Sequence, residues 1–360
     1  MDGLHIRSGE VRLQSLATAV PPHRLSQSDA ARMAAQIFSG RFPNFERMAP
    51  VFTSSGIVAR YTVQPPEWYL APKIGWPERM AAYLQGAADL FVDAASRALE
   101  AAGCTASDVD TIVTISSTGI ATPSLEARVA GRMGFRNDVE RVPVFGLGCA
   151  GGVSGLSIAS RLAAARPGKT VLLVAVEICT VAFRADQLTK ASIVASALFG
   201  DGAAACVVRA EKGRAGEAGI ARIEGAGQHM WPDTLDVMGW NVDATGLDVV
   251  FDRAIPPFVE EKVRPAIDGI LRDMAVTAAE VDRFACHPGG AKVITALETA
   301  LQLKQGTLDH EREVLSDYGN MSAPTVVFVM DRLLKAGLPK RTVMTAMGPG
   351  FSCACLSLVT

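Results

Sequence analysis

Short apolar runs alternate along the chain with longer segments in which apolar residues recur every three or four positions. TIVTIS, VLLVAVE and TVMTAMG are runs of strand length, and amphipathic segments lie between them. Strands that alternate with helices of about 10–15 residues are typical of βαβ units and a mostly parallel sheet. The pattern therefore predicts an α/β fold whose strands are largely parallel.

This helix-then-strand pattern occurs twice, with the second copy about 172 residues after the first. Asp110 corresponds to Asp282, and at an offset of 171 residues Cys149 corresponds to Asn320. Each copy reads as strand, helix, strand, helix, strand. We therefore predict two duplicated βαβαβ halves, residues 1–210 and residues 211–360. The segments outside the repeat, about 1–85 and 211–257, are expected to form the walls of a substrate cavity.

Composition and charge exclude several functional classes. The 360 residues include 35 Lys and Arg against 37 Asp and Glu, a net charge of −2 that offers no electrostatic footprint for nucleic acid. No uninterrupted apolar stretch is as long as a membrane span, which needs about 18 residues. The first ten residues also lack the apolar core of a signal peptide. Seven cysteines without a CxxC pair argue against a disulfide framework and a zinc site. We therefore expect a soluble, cytoplasmic protein with no metal, no nucleic-acid partner and no membrane span.

Cys149 is the first candidate for chemistry. It lies in VFGLGCAGGVSGL, which predicts an apolar segment, a tight glycine-rich turn and then a helix of small residues. The macrodipole at a helix N-terminus favours a thiolate, so this setting predicts a lowered thiol pKa and a nucleophile. The alternative is a buried cysteine that acts as a small hydrophobic residue.

Two further residues complete a possible catalytic set. His287 follows a strand in FACHPGG, and Asn320 lies in the turn SDYGNMSAP as the positional counterpart of Cys149. Taken singly, the histidine could be a hydrogen-bonded core residue and the asparagine a helix N-cap. Together, a thiolate, an imidazole and an amide donor at strand ends supply what acyl transfer followed by carbanion stabilisation requires. FGDGAAACVV is interpreted as a turn between strands, and Asp201 within it has no partners at metal-binding spacing.

The motifs GCAGGVSGL, HPGGAK, YGNMSAP, ALFGDGAAA and MGPGF resemble those of type III polyketide synthases, the chalcone-synthase-like branch of the thiolase superfamily. The resemblance covers nearly the whole chain. It implies a homodimer whose subunits have the thiolase-like five-layered αβαβα fold. It also implies that no cofactor is needed, because acyl-CoA and malonyl-CoA are the substrates.

The resemblance further implies a role for each candidate residue. Cys149 would take an acyl starter from coenzyme A, with His287 as its base and ion-pair partner. His287 and Asn320 would bind the thioester oxygen of malonyl-CoA and stabilise the enolate that forms as carbon dioxide leaves. Repeated Claisen condensation would extend the chain, and cyclisation would release the product.

The same resemblance predicts a cavity that suits an alkyl chain. Phe199 matches a phenylalanine at the junction of tunnel and cavity, whereas Val249 stands where the family has a second aromatic residue. Cys179 and Ala182 replace threonines of the cavity wall with smaller apolar groups. The predicted cavity and gate residues are Phe199, Val249, Cys179, Ala182, Trp240 and Ser322.

The segment VMGWNVDATGLDVVFDRAIPPFVEE also resembles that of bacterial alkylpyrone and alkylresorcinol synthases. Together with the small cavity residues, it favours a fatty acyl starter, with the choice between pyrone and resorcinol left open. Family basic residues at the tunnel mouth are partly matched by Arg47 and Lys292, which are the candidate residues for binding coenzyme A.

Four alternatives are weighed against this interpretation. A β-ketoacyl-carrier-protein synthase III has the same three residue types. Its motifs are HQAN-like and GNTSAA, whereas this chain has HPGG and GNMSAP, which argues against that family. A thiolase would use a second cysteine, for which Cys353 and Cys355 are candidates, although alternate residues of a terminal strand explain them better. A papain-type Cys-His-Asn hydrolase does not fit duplicated βαβ halves. An inactive binding module is disfavoured because all three catalytic residue types are present.

Overall fold

The computed structural model describes residues 10–71, 74–211 and 219–360. The strands, in chain order, are β1 (Val11–Ala19), β2 (His23–Ser26), β3 (Ala59–Thr62), β4 (Val109–Ile115), β5 (Glu140–Val144), β6 (Thr170–Ile178), β7 (Asp201–Ala210), β8 (Ala221–Met230), β9 (Met238–Asp243), β10 (Gly246–Phe251), β11 (Arg283–Cys286), β12 (Arg341–Gly348) and β13 (Ser352–Val359). The helices are α1 (Gln27–Phe38), α2 (Phe45–Met48), α3 (Pro50–Ser54), α4 (Pro66–Leu70), α5 (Trp76–Ala101), α6 (Leu125–Met133), α7 (Gly151–Ala165), α8 (Lys190–Leu198), α9 (Ile255–Phe258), α10 (Arg264–Asp273), α11 (Ala291–Ala300), α12 (Asp309–Tyr318) and α13 (Thr325–Ala336).

Nine strands form one continuous sheet in the order β11-β12-β13-β8-β1-β7-β6-β4-β5. The prediction of a largely parallel sheet is wrong. Only β4 with β5, β4 with β6, and β11 with β12 run parallel, and the other neighbouring pairs are antiparallel. For β12 and β13 the reason is the length of the connection, since the three residues between them allow a hairpin but not a crossover.

The sheet is folded between three layers of helices, as the alternation of side chains along β6 shows. Leu172 and Val174 face a core formed with α5 and α6, whereas Leu173 faces a central core that contains α7 and α13. On the other side of α7 and α13, β12 and β13 face α10 and α11. Every residue of β6 is therefore buried, and the layers follow the predicted αβαβα order.

Equivalent hydrogen bonds in the two copies confirm the duplication. Asp110, just after the start of β4, accepts a bond from the backbone N–H of Thr170 at 3.0 Å. Its counterpart Asp282 accepts a bond from the backbone N–H of Arg341 at 2.8 Å. The two halves share the sheet through the pairing of β1 with β8. The boundary between residues 210 and 211 stays a prediction, and residues 212–218 lie outside the described part of the chain.

The central helices α7 and α13 approach closely because α7 begins with glycines. A Cβ atom added at Gly152 would overlap the backbone carbonyl of Ala323, and one added at Gly151 would overlap the side chain of Ile115. Larger residues at these positions would force the helices apart. The glycines of GCAGG therefore bring the turn before α7 next to the turn before α13.

None of the helices in the described ranges is long and apolar enough to cross a membrane. Cys353 and Cys355 are buried neighbours on one face of β13, where both contact the hydroxyl of Thr345 in the outer core. Their alternation along a terminal strand agrees with the structural explanation and gives no support to a second catalytic cysteine.

Candidate active site

Cys149 occupies the predicted position at the start of a helix. The single helical turn Gly148–Ala150 follows β5 and leads directly into α7. Gly148 has a φ of +48°, and a Cβ atom there would overlap the ring of Pro349. The GPG turn between β12 and β13 therefore packs on the Cys149 turn, and the thiol is buried.

Asn320 lies beside Cys149 and is held from two sides. Its backbone forms an isolated parallel bridge with Phe199 in the segment after α8. Its side-chain Oδ1 accepts a hydrogen bond from the backbone N–H of Ser322 at 2.8 Å and lies 3.9 Å from the Sγ atom of Cys149. Its Nδ2 donates to the carbonyl of Gly289 at 3.2 Å, which leaves one amide N–H of Asn320 for another acceptor.

His287 ends β11 and is connected to Asn320 through Gly289. Its backbone N–H donates to the carbonyl of Thr345 at 2.8 Å, which fixes the residue at the sheet edge. A Cβ atom added at Gly289 would lie 3.9 Å from Nε2 of His287, so this turn contacts both the imidazole and the amide of Asn320. The imidazole is buried, and neither ring nitrogen has a hydrogen-bond partner among the described residues.

Burial determines the protonation of the thiol and the imidazole. It raises the pKa of Cys149 to about 11, although contacts with Ser322 and Asn320 act in the opposite direction. It also lowers the pKa of His287 to about 3. The expected lowering of the thiol pKa at the helix N-terminus is therefore wrong for the free site. Removal from water is the largest cause of both pKa shifts, and both groups are neutral at pH 7.

A buried carboxyl group that the sequence analysis did not select supports the Cys149 turn. Glu177, at the end of β6, accepts the backbone N–H of Ser117 at 2.9 and 3.1 Å, and burial raises its pKa to about 8. The hydroxyl of Ser117 in turn accepts the N–H groups of Gly146 and Gly148 at 3.1 and 3.3 Å. An acidic residue inside the apolar run VLLVAVE was the available signal.

A largely apolar pocket, partly open to solvent, lies next to this site. Five predicted cavity residues line it, namely Phe199, Val249, Cys179, Ala182 and Trp240. Phe199 connects the pocket to the catalytic candidates because its backbone pairs with Asn320. Ser322 lies elsewhere, against the thiol of Cys149.

The structure supplies an aromatic neighbour for Phe199 where the sequence predicted only a valine. The ring of Phe251 lies edge-on to that of Phe199, with 6.5 Å between the ring centroids. Phe251 and Val249 are alternate residues of β10, so they are on the same face of the strand. Phe199 therefore has an aromatic neighbour, and Val249 lies in the wall of the pocket.

The candidates for binding coenzyme A are both on the surface. Arg47 is an exposed residue of α2, and Lys292 is an exposed residue of the first turn of α11. Neither forms an ion pair within residues 10–71, 74–211 and 219–360. In the same part of the chain, no group of three or more His, Cys, Asp or Glu side chains is placed to hold a metal ion.

Comparisons with known proteins agree with this arrangement. The family model for the N-terminal domain of chalcone and stilbene synthases matches residues 5–212, and the model for their C-terminal domain matches residues 222–356. 1,3,6,8-Tetrahydroxynaphthalene synthase from Streptomyces peucetius subsp. caesius is 39% identical over 93% of this chain and 89% of that protein. A putative chalcone synthase from Bacillus subtilis (strain 168) is 32% identical over 94% and 95% of the two chains.

A solved structure shows the same fold. It is that of 1,3,6,8-tetrahydroxynaphthalene synthase from Streptomyces coelicolor A3(2), a bacterial type III polyketide synthase. The TM-score is 0.89 and the sequence identity is 28%, with 97% of this chain and 99% of that chain covered.

The protonation of the site leads to a prediction about His287. If its imidazole accepts the proton of Cys149 inside the site, the resulting ion pair stabilises the thiolate, and His287→Gln removes that stabilisation from a thiol whose pKa burial raises to about 11. Alkylation of Cys149 by iodoacetamide at pH 7.5 is then expected to slow at least about tenfold and to rise about tenfold per pH unit below that pKa. Peptide mass spectrometry identifies the alkylated cysteine. Identical pH profiles for the natural protein and the variant would exclude this role of His287.

Proposed function

Because the chain belongs to the chalcone and stilbene synthase family of type III polyketide synthases, we propose that it extends an aliphatic acyl starter with malonyl units and cyclises the chain to an alkylpyrone or alkylresorcinol. Enzymes of this family are condensing acyltransferases that use acyl-CoA and malonyl-CoA and need no further cofactor. The observation that carries the proposed chemistry is the contact of Cys149 with Asn320, whose amide also bonds to the turn after His287. The buried ring of His287 has no hydrogen-bond partner among the described residues. The alternative of a β-ketoacyl-carrier-protein synthase III is not favoured, because both halves match chalcone and stilbene synthase models.

Starter loading uses the buried thiol and imidazole as one unit. Transfer of the proton from Cys149 to His287 leaves a thiolate, which attacks the carbonyl carbon of the acyl-CoA. The bond between the acyl carbon and the CoA sulfur breaks, and this sulfur takes the proton from His287. The starter is then a thioester of Cys149, and the imidazole is neutral again.

Extension uses the hydrogen-bond donors that the structure leaves free. The thioester oxygen of malonyl-CoA accepts bonds from His287 and from the remaining N–H of Asn320 Nδ2. When carbon dioxide leaves, these donors stabilise the negative charge on the enolate oxygen. The enolate carbon attacks the acyl carbon on Cys149, the bond to the cysteine sulfur breaks, and the lengthened chain remains on CoA.

The shape of the pocket supports an alkyl starter. Beyond Phe199 and Ala182, the wall is formed by apolar side chains of α1, among them Ala34, Ile37 and Phe38. Ile37 also lines a second, more open depression, as do Tyr69 and Phe183. A long alkyl chain can therefore extend from the gate past α1 toward the surface. Arg47 and Lys292 are proposed to bind the phosphates of CoA, since both are exposed cations.

A homodimer is proposed from the free edge of the sheet. β5 is the last strand of the nine, and the following residue Phe145 is 56% exposed. Ile120, after the neighbouring strand β4, is 51% exposed. An unpaired strand edge flanked by exposed apolar side chains is a typical surface for self-association.

The dimer proposal predicts a particle of twice the chain mass in light scattering. Phe145→Glu is expected to convert it to a monomer by placing a charge in the interface. Val58→Glu, on a different surface with a similarly exposed apolar residue, is the control and is expected to leave the dimer intact. A monomer at micromolar concentration of the natural protein would disprove the assignment.

The role of Asn320 predicts a separation of the two half-reactions. Asn320→Ala removes one donor to the enolate oxygen, which is expected to slow malonyl-CoA decarboxylation by about 10²–10³-fold. Acylation of Cys149 by the starter, measured by intact-protein mass, is expected to stay nearly unchanged. Asn137→Ala, in an exposed loop, serves as the control. Undiminished release of carbon dioxide would show that Asn320 does not stabilise the enolate.

The proposed starter predicts which acyl-CoA esters are extended. With malonyl-CoA and a series of acyl-CoA starters, mass spectrometry is expected to show alkylpyrones or alkylresorcinols from long saturated chains. Ala34→Phe is expected to lower the longest accepted chain by filling the pocket, whereas Ala35→Phe on the exposed face of α1 leaves it unchanged. A product made from malonyl-CoA alone, with no acyl starter incorporated, would overturn the alkyl proposal and keep the family reaction.

A further inference from the structure

Arg60 is a buried cation in the wall of the apolar pocket. It lies on β3, its side chain is 1% exposed, and it lines the same pocket as Phe199 and Ala182. Its Nη1 donates to the carbonyl of Phe199 at 3.2 Å. Its Nε and Nη2 have no hydrogen-bond partner among the described residues. A buried donor without an acceptor costs about 1–3 kcal/mol, and more when it is charged, so its retention suggests an absent acceptor.

The polar groups nearest to Arg60 are already engaged with one another. The hydroxyl of Thr180 donates to Asp201 at 2.6 Å and therefore accepts from the hydroxyl of Tyr69, also at 2.6 Å. Asp201 also accepts the backbone N–H groups of Val63 and Thr180. These groups stabilise one another and do not reach Nε or Nη2 of Arg60.

The charge of Arg60 persists at neutral pH. Burial lowers its pKa to about 10, and the neighbouring Asp201 carboxylate acts in the opposite direction. Burial raises the pKa of Asp201 to about 6, so the carboxyl group is ionised at pH 7 to 8. The pocket wall therefore carries a cation whose charge is balanced nearby but whose Nε and Nη2 have no acceptor among the described residues.

The position of Arg60 fits an acceptor on a chain attached to Cys149. The Cβ atom of Arg60 lies 3.1 Å from where a Cβ atom at Gly200 would be, directly after Phe199. Arg60 is thus packed under the bridge between Phe199 and Asn320, between the catalytic candidates and the apolar region at α1. A saturated starter brings no oxygen there, whereas every condensation adds a keto oxygen to the chain.

We propose that Arg60 binds a keto or enolate oxygen of the growing poly-β-keto chain through its free N–H groups, while the alkyl end lies against α1. This inference rests on the proposed function. Arg60 then acts only after the first condensation and helps to determine how many extensions precede release. A charged donor suits this ligand because a 1,3-dicarbonyl is acidic and its enolate carries negative charge.

The test compares Arg60→Met, which keeps the apolar stem, with Arg60→Lys and with the control Arg24→Met. Arg24 is an exposed arginine on the partner strand β2. Each protein receives a long acyl-CoA and malonyl-CoA, and three quantities are measured: acylation of Cys149 by intact mass, total product, and the distribution of chain lengths.

In Arg60→Met, acylation is expected to stay within about twofold, and products with two or more extensions are expected to fall about 10- to 100-fold, the loss that accompanies removal of a hydrogen bond to a charged group. Shorter products released early are expected to accumulate, and Arg60→Lys is expected to recover part of the loss. Arg24→Met is expected to match the natural protein.

Two results would overturn the inference. An unchanged product distribution in Arg60→Met would show that the chain does not use this cation. An equal fall in acylation and in product, with a lower thermal unfolding midpoint, would show that Arg60 only supports the bridge between Phe199 and Asn320. If the natural protein forms no extended product from any acyl-CoA, the proposed function fails instead, and that outcome is distinct from both.

Discussion

The site depends on the exclusion of water from a thiol, an imidazole and an amide. In water a cysteine thiol has a pKa of about 8.5 and an imidazole a pKa of about 6.5, but burial raises the first pKa and lowers the second, which keeps Cys149 and His287 neutral. The two groups can then become charged together by moving one proton inside the site. The same dry surroundings strengthen the hydrogen bonds that Asn320 and His287 can give to an enolate oxygen.

The backbone brings these residues together through close approaches that only small residues allow. Gly152 lets α7 approach the turn before α13, and Gly148 lets the GPG turn pack on Cys149. Gly289 differs, because a Cβ atom there would make only ordinary van der Waals contacts; its contribution is the backbone carbonyl that accepts a hydrogen bond from Asn320. The glycines of GCAGG are thus explained by packing at the site, where a side chain would separate groups that must lie close together.

Phe199 joins the catalytic candidates to the pocket. Its backbone pairs with Asn320, its carbonyl accepts from Arg60, and its ring meets Phe251. Chain length and oxygen binding would therefore be controlled next to the place where each carbon–carbon bond forms.

From the sequence alone, periodicity predicted the α/β class and the duplication, and local motifs predicted the three catalytic candidates. The five pocket residues were predicted from the resemblance to the family. The direction of the strands could not be predicted in this way. The last strand of each half runs antiparallel to the strand before it, and this depends on the length of the connection and on which strands pair. The sequence also did not predict the raised pKa of Cys149, the contact of Phe251 with Phe199, or the donors of Arg60 that lack a partner among the described residues. These depend on which distant side chains exclude water from a group or leave it without a partner, and only the folded chain determines that.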